Sequence, residues 1–291
     1  MASSGGSSAS GGAASSGGGG ASAGGAPGGS AGASGAGGAL PWTCQGAGMA
    51  LQFDGDQVDE VVADLMGDMP AGVASRTIEM WAYTNPKSWR MGHPLFDVGT
   101  AGGGKVLGLD FATKWENSVL VQGAYPSLNI YSDKSNDFGW WAPFTPGSPN
   151  FQETGWVHFS IRYDEVSNTY ALMTNAVTVF EGEASLHGHV ALRTEATPLH
   201  IGFSLDFGDA GFDGKIDEVR IWNKPRSNAE ISATMHQVLR GDEDGLVGYW
   251  HFDEGVGTVS KDFSSRDHDA VMSSALKPAW VNAEGLDLKC P

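Results

Sequence analysis

Apolar and polar positions alternate with a period of two along many short runs of this chain, and that alternation predicts β-strands. The clearest run is Lys215 to Trp222, entered through Gly211-Phe212-Asp213-Gly214. Strict alternation puts Ile216, Glu218, Arg220 and Trp222 on one side and Asp217, Val219 and Ile221 on the other. Asp217 then shares a face with valine and isoleucine, where a carboxylate needs a hydrogen-bond partner or a metal. Two readings stand side by side: loop amides bind it, or it ligates calcium supplied with loop carbonyls from the nearby Asp-Gly turn. Further strands are expected at Met49–Phe53, around Val61, and at Arg76–Tyr83, Leu95–Val98 and Val106–Phe111, the last pairing with Val119–Gln122. Others follow at Trp156–Tyr163, Thr169–Met173, Val177–Glu181, Leu199–Phe203 and Gly245–Glu254, with closing strands at Ala270–Met272 and Ala279–Val281. In Trp156–Tyr163 the inward set is Val157, Phe159 and Ile161, which leaves His158 on a solvated face beside Trp156. One segment breaks the period: Ser227 with Glu230 makes a capping box, Ile231, Met235 and Val238 fit one helical face, and Gly241 supplies a stop. Short strands in series with one short helix predict an all-β fold, a two-sheet antiparallel sandwich.

Residues 125–151 read differently. Tyr125, Tyr131, Phe138, Trp140, Trp141, Phe144 and Phe151 lie there among Pro, Ser, Asn and Gly. Aromatics in a turn-rich segment form either a packed loop or a binding platform. On the second reading sugars stack on the rings of Trp140, Trp141 and Tyr131, and Asn136 hydrogen-bonds their hydroxyls.

Composition sets the boundaries. Residues 1–40 are almost entirely Gly, Ser and Ala, so they have nothing to bury and are expected to be a disordered linker or surface tether. The domain is expected over 41–291. The formal net charge of −17, from 17 Lys+Arg against 34 Asp+Glu, argues against nucleic acid or an anionic membrane as partner. No apolar run is long enough for a membrane span. Residues 1–20 carry neither a basic nor an apolar signal region, so no signal peptide is expected within this numbering. The two cysteines, Cys44 and Cys290, sit at opposite ends of the domain. A disulfide pinning its ends is expected, with chance placement as the alternative, and it implies an oxidising compartment.

Six fragments together carry a family resemblance: Ala50-Leu51-Gln52-Phe53-Asp54-Gly55, Thr77-Ile78-Glu79-Met80-Trp81, Gly155-Trp156-Val157-His158-Phe159, Leu199-His200-Ile201-Gly202, Phe212 to Trp222, and Gly245 to Gly255. In this order they resemble the laminin-G-like, concanavalin A-like jelly-roll family. The resemblance implies a concanavalin A-like sandwich in an extracellular module that binds glycans or proteins, or that accompanies enzymes. It also implies a structural calcium, carried over here to Asp217 and to Asp54 and Asp56 in the first strand's Asp-Gly turn. The aromatic segment 125–151 departs from the family pattern.

Three functions compete. The leading expectation is a secreted or cell-surface binding module for carbohydrate, with calcium as a structural ion and no catalysis. A protein–protein adhesion module is the second. A glycoside hydrolase on the same fold is the third, and it needs two carboxylates about 5–9 Å apart; no strand carries a compact acid cluster, Glu79 stands between Thr77 and Trp81, and Glu218 sits beside Arg220. No complete phosphate loop or His-Glu-x-x-His motif occurs, and Gly-x-Ser-x-Gly appears only inside the low-complexity tract, at Gly20–Gly24 and Gly28–Gly32. His187 and His189 read as a solvated loop, with loose metal binding as the alternative.

Overall fold

A computed structural model of the chain describes residues 44, 46–55, 59–84, 93–100, 105–116, 119–131, 138–141, 155–183, 194–205, 211–272 and 278–291. Side chains at 84, 111–116, 119–131 and 138–141 fall outside this description. So do the linker 1–40, Asp56, Asn136, Phe144, Phe151, His187 and His189.

In chain order the strands are β1 (Met49–Asp54), β2 (Val61–Ala63), β3 (Arg76–Thr84), β4 (His93–Gly99), β5 (Val106–Glu116), β6 (Val119–Tyr131), β7 (Phe138–Trp141) and β8 (Gly155–Asp164). They continue with β9 (Thr169–Thr174), β10 (Val177–Glu183), β11 (Leu199–Ile201) and β12 (Asp213–Trp222). Helix α1 (Asn228–Thr234) precedes β13 (Leu246–Trp250), β14 (Val259–Ser260), β15 (Ala270–Met272) and β16 (Ala279–Asn282). All pair antiparallel into two eight-stranded sheets. The first runs β10-β9-β8-β3-β12-β1-β16, with β13 also on β12; the second runs β14-β15-β2-β11-β4-β5-β6-β7. The predicted all-β sandwich with one helix is what forms.

The core lies between the sheets. Leu51, Phe53, Ile78, Met80, Phe159, Ile161 and Ile216 of the first sheet pack against Val61, Leu95, Phe96, Val98, Leu107, Leu109 and Ile201 of the second. Gly202, at φ +78°, lets the chain pass close to Phe53; a Cβ there would lie 2.2 Å from the ring. The segment read as a turn-rich aromatic loop contains two strands, β7 and the second half of β6. Its Tyr, Ile and Trp content suits extended backbone, and the pairing β5-β6-β7 supplies the ladder.

The strand β12 differs from strict alternation. Asp217 pairs with Trp81 and Arg220 with Glu79, so two residues, Glu218 and Val219, lie opposite one. This is a β-bulge, with Glu218 at φ +55°. The inserted residue flips the parity: Ile216, Val219 and Ile221 face the core, whereas Asp217 shares a side with Arg220. Asp217 therefore does not share a face with Val219 and Ile221.

The outer side of the first sheet is covered. Helix α1 begins at the predicted capping box: Glu230 N donates to Ser227 Oγ at 3.2 Å and Ser227 N to Glu230 Oε2 at 2.7 Å. The helix stops at Thr234, well before Gly241, because the chain then turns to meet the C-terminal segment, with Val238 N bonded to Lys289 O at 2.9 Å. Ile231 packs on Ala171, Met173 and Ala176. Val238, Leu286 and Leu288 close over Trp81 and Ala50. The Cys44–Cys290 disulfide, Cα–Cα 5.8 Å, fastens that segment. Among the described residues no helix is long and apolar enough to cross a membrane.

Candidate functional site

The covered side of the first sheet holds a buried polar network. Glu79 is fully buried and accepts from Arg226 Nη1 at 2.5 Å, with His158 Nε2 at 3.6 Å. Arg220 donates to Glu218, whose carboxylate also accepts from Tyr249 Oη at 2.8 Å. Burial, and then the charges of Arg220, Arg226 and His236, hold His158 well below the usual 6.5. Burial raises Glu79, with Arg226 and Arg220 opposing the shift. His158 is 0% exposed and edge-on to Trp81, so the expected solvated position is wrong: period two finds the outer side of β8, and only tertiary packing reveals that α1 and the C-terminal segment roof it. Glu79, His158 and Arg220 are sealed from any large ligand. Their work is to hold α1 on the sheet.

The outer side of the second sheet is the alternative surface. Register runs one row of residues across all eight strands. Val259 lies opposite Val271, Val271 opposite Val62, and Val62 opposite His200. His200 lies opposite Asp97, Asp97 opposite Gly108, Gly108 opposite Asn129, and Asn129 opposite Gly139. At about 4.8 Å between strands the row is about 34 Å long. Its first part is apolar and open, with Val259 40% and Val271 50% exposed. Its second part is polar and closed at Asp97, which is 1% exposed. His200 Nδ1 lies 3.0 Å from Glu60 Oε2. Asp97 Oδ2 accepts from Ser204 Oγ at 2.9 Å and Leu205 N at 2.8 Å. Gly108 makes room for that carboxylate, since a Cβ there would lie 1.9 Å from Asp97 Oδ1.

Asp110 follows Gly108 by two positions, so it occupies the same side of β5 as Gly108, away from Leu107 and Leu109 in the core. Asp97 and Asp110 are thus diagonal neighbours, with Cβ atoms about 7 Å apart. No single strand carries this pair, which is why spacing along the sequence misses it. Asp97 sits between the core residues Phe96 and Val98, a usable signal for an outward acid, but its neighbour depends on pairing.

The expected ligand residues fall at the far end of the same sheet. Trp140 and Trp141 lie on β7, opposite Leu128 and Ser127. Ser127 in turn pairs with Asp110, and Tyr131 pairs with Val106. Of the expected metal ligands Asp56 lies outside the described residues, and Asp54 and Asp217 stand apart on the first sheet. Asp54 pairs with Asp213, four positions before Asp217 and about 13 Å along the strand. Asp217 is 1% exposed; its Oδ1 accepts from Glu218 N at 2.8 Å and its Oδ2 has no hydrogen-bond partner among the described residues. Burial, then the charges of Glu218 and Asp253, push its carboxyl well above the usual range. Among the described residues no group of three or more His, Cys, Asp or Glu could hold a metal ion.

Comparison with known proteins fits this architecture. No curated protein sequence matches significantly. A putative carbohydrate binding protein from Bacteroides ovatus superposes with a TM-score of 0.56 at 16% identity, over 82% of this chain and 61% of its own. The present chain thus spans about three fifths of that protein. The native heptameric SAP-like pentraxin of Limulus polyphemus gives a TM-score of 0.44 at 14% identity, over 64% of this chain and 81% of its own. The CBM40 of the Ruminococcus gnavus IT-sialidase gives 0.41 at 16% identity, over 63% and 97%. Identities this low speak to the fold alone. The family model described as concanavalin A-like lectin/glucanases superfamily matches residues 56–232, well over half of the sequence, and this chain belongs to that superfamily.

Proposed function

We propose that the chain is a carbohydrate-binding module of a secreted or cell-surface protein, and that it takes glycan on the outer side of the second sheet. One observation carries the reading: the first sheet's outer side is roofed by α1 and the disulfide-fastened C-terminal segment, which leaves the second sheet, open at Val259 and Val271 and partly open at His200, as the side for a ligand. The half-exposed His200 and Glu60 can bond hydroxyls there, and β6 and β7, at one end of the sheet, carry Tyr131, Trp140 and Trp141. The Bacteroides protein described as a putative carbohydrate binding protein supports the same reading. The Cys44–Cys290 disulfide supports an oxidising, extracellular setting. The test is a glycan array with the folded chain, repeated with a Trp140→Ala, Trp141→Ala double variant. Binding lost in the variant is expected; a blank array from folded protein argues for protein–protein adhesion.

Asp97 and Asp110 favour a second reading, hydrolysis, because their separation falls within the range for paired acids. Against it, Asp97 and Asp110 are 1% and 4% exposed, and Asp97 is held by Ser204 and Leu205. Release of reducing sugar from soluble glucans, lost in Asp110→Asn, would establish it.

A structural calcium belongs to the proposal at Asp217. Its buried Oδ2 lacks a hydrogen-bond partner among the described residues, and Glu218 and Asp253 crowd it with like charge; a divalent cation would relieve both. Asp54 and Asp56 are not part of this assignment.

A further inference from the structure

We propose that the β14-β15-β2-β11 half of the second sheet's outer side holds a subsite for a 6-deoxyhexose, a sugar whose C6 carbon is a methyl group; this rests on the carbohydrate reading above. The side chains there divide into an apolar stripe and a polar rim. Val61, Ala63, Ala270 and Met272 point into the core, so Val62 and Val271 point outward. Val259 lies opposite Val271 and Val271 opposite Val62, and Val259 and Val271 are exposed. Over two strand spacings the three valines make a stripe about 10 Å long. An exposed apolar stripe rimmed by polar groups marks a binding surface.

The rim closes the stripe at both ends. From Val62 the row passes to His200 on β11, and Glu60, two residues before Val62, takes the same side of the sheet. His200 Nδ1 lies 3.0 Å from Glu60 Oε2, and both side chains are partly open. Phe203 is half-buried, with its ring 6.3 Å from that of His200. At the other end Lys261, two residues on from Val259, is ion-paired with Asp269. Facing a carboxylate, His200 Nδ1 donates, so the neutral ring presents Nε2 as an acceptor beside Glu60 Oε1. This end of the rim thus takes hydroxyl donors, whereas the valines can bond no hydroxyl. A pyranose holds its C6 group across the ring from its C2 and C3 hydroxyls. With those hydroxyls on Glu60 and His200, C6 comes over Val62 and Val271, the first of them one strand spacing, about 4.8 Å, from His200. A methyl group there takes apolar surface out of water. A C6 hydroxyl there gives up water without gaining a partner.

The experiment titrates the full chain, followed by methyl NMR, with methyl glycosides in two matched pairs: L-fucose against L-galactose, and L-rhamnose against L-mannose. Within each pair only the C6 hydroxyl differs. In at least one pair the deoxy sugar is expected to bind about fourfold or more tightly than its partner, and to shift the methyl signals of Val62 and Val271. Val271→Ser should close most of that gap, because a serine can bond the C6 hydroxyl. If that variant loses stability, the methyl shifts in the unaltered chain still decide. Equal affinities within both pairs, or a preference that moves neither valine, would overturn the subsite while leaving carbohydrate binding intact. Four silent probes beside a glycan array that reports other sugars would do the same. A silent array would instead overturn the carbohydrate reading, and the subsite with it.

Discussion

Arg226 reaches Glu79 across 147 residues of sequence, and the two side chains meet with both buried. Arg226 also lies over the Trp222 ring, 4.0 Å from its centroid, and donates to Glu230 O and Thr234 Oγ1. One guanidinium thus joins β3, β12 and α1. Removing it as Arg226→Met leaves Glu79 buried and uncompensated, which costs about 3–5 kcal/mol. Urea unfolding should show that loss, and a Glu79→Leu, Arg226→Met double variant should recover part of it.

His158 predicts an acid-side loss of stability. Its folded pKa is depressed, so the unfolded chain binds the proton first. The stability is complete above about pH 6.5 and is lost as pH falls below that toward the folded value. Arg220, Arg226 and His236 add positive charge around the ring, and Glu79 faces it from β3. The slope from this one group reaches at most about 1.4 kcal/mol per pH unit. Denaturation midpoints between about pH 7 and pH 5 should fall less steeply in His158→Phe; an unchanged slope would assign the effect elsewhere.

The disulfide spans a sequence separation of 246 residues. In the chain-entropy account closing so long a loop contributes about 5 kcal/mol, with the mechanism disputed. Cys44→Ser, Cys290→Ser protein should melt lower than the oxidised chain, and its C-terminal segment should lose hydrogen-exchange protection before the sandwich does.

Gly108→Val tests the second sheet's outer side. The new side chain must displace the Asp97 carboxylate, for which overpacking of about 1–3 kcal/mol is expected. Glycan binding should fall in the same variant although Trp140 and Trp141 are untouched. Binding unchanged in folded Gly108→Val protein would move the ligand away from the polar row.

Calcium should raise the melting temperature and chelator reverse it, since a ligand of the native state stabilises by mass action. Asp217→Asn should abolish the shift and Asp54→Asn should not. A melting temperature indifferent to calcium would remove the ion from this protein.

Much of this protein is legible one residue at a time. Period-two runs gave the strands around Met80, Phe159 and Ile201, because alternation is a local consequence of the pleat. The pair Ser227 and Glu230 marked the start of α1, because a capping box closes within four residues. The two cysteines at the domain's ends were joined as their positions suggested.

Pairing and layering decided the rest. Glu218 at φ +55° inserts a bulge that turns Asp217 away from Val219 and Ile221; that depends on what β3 offers opposite. His158 is buried because a helix and a C-terminal segment far along the chain lie over it. Asp97 and Asp110 become neighbours only when β4 pairs with β5. Alternation tells which side of a strand a residue takes, but register and the stacking of layers, set by contacts between residues far apart in the chain, determine whether that side meets core, roof or solvent.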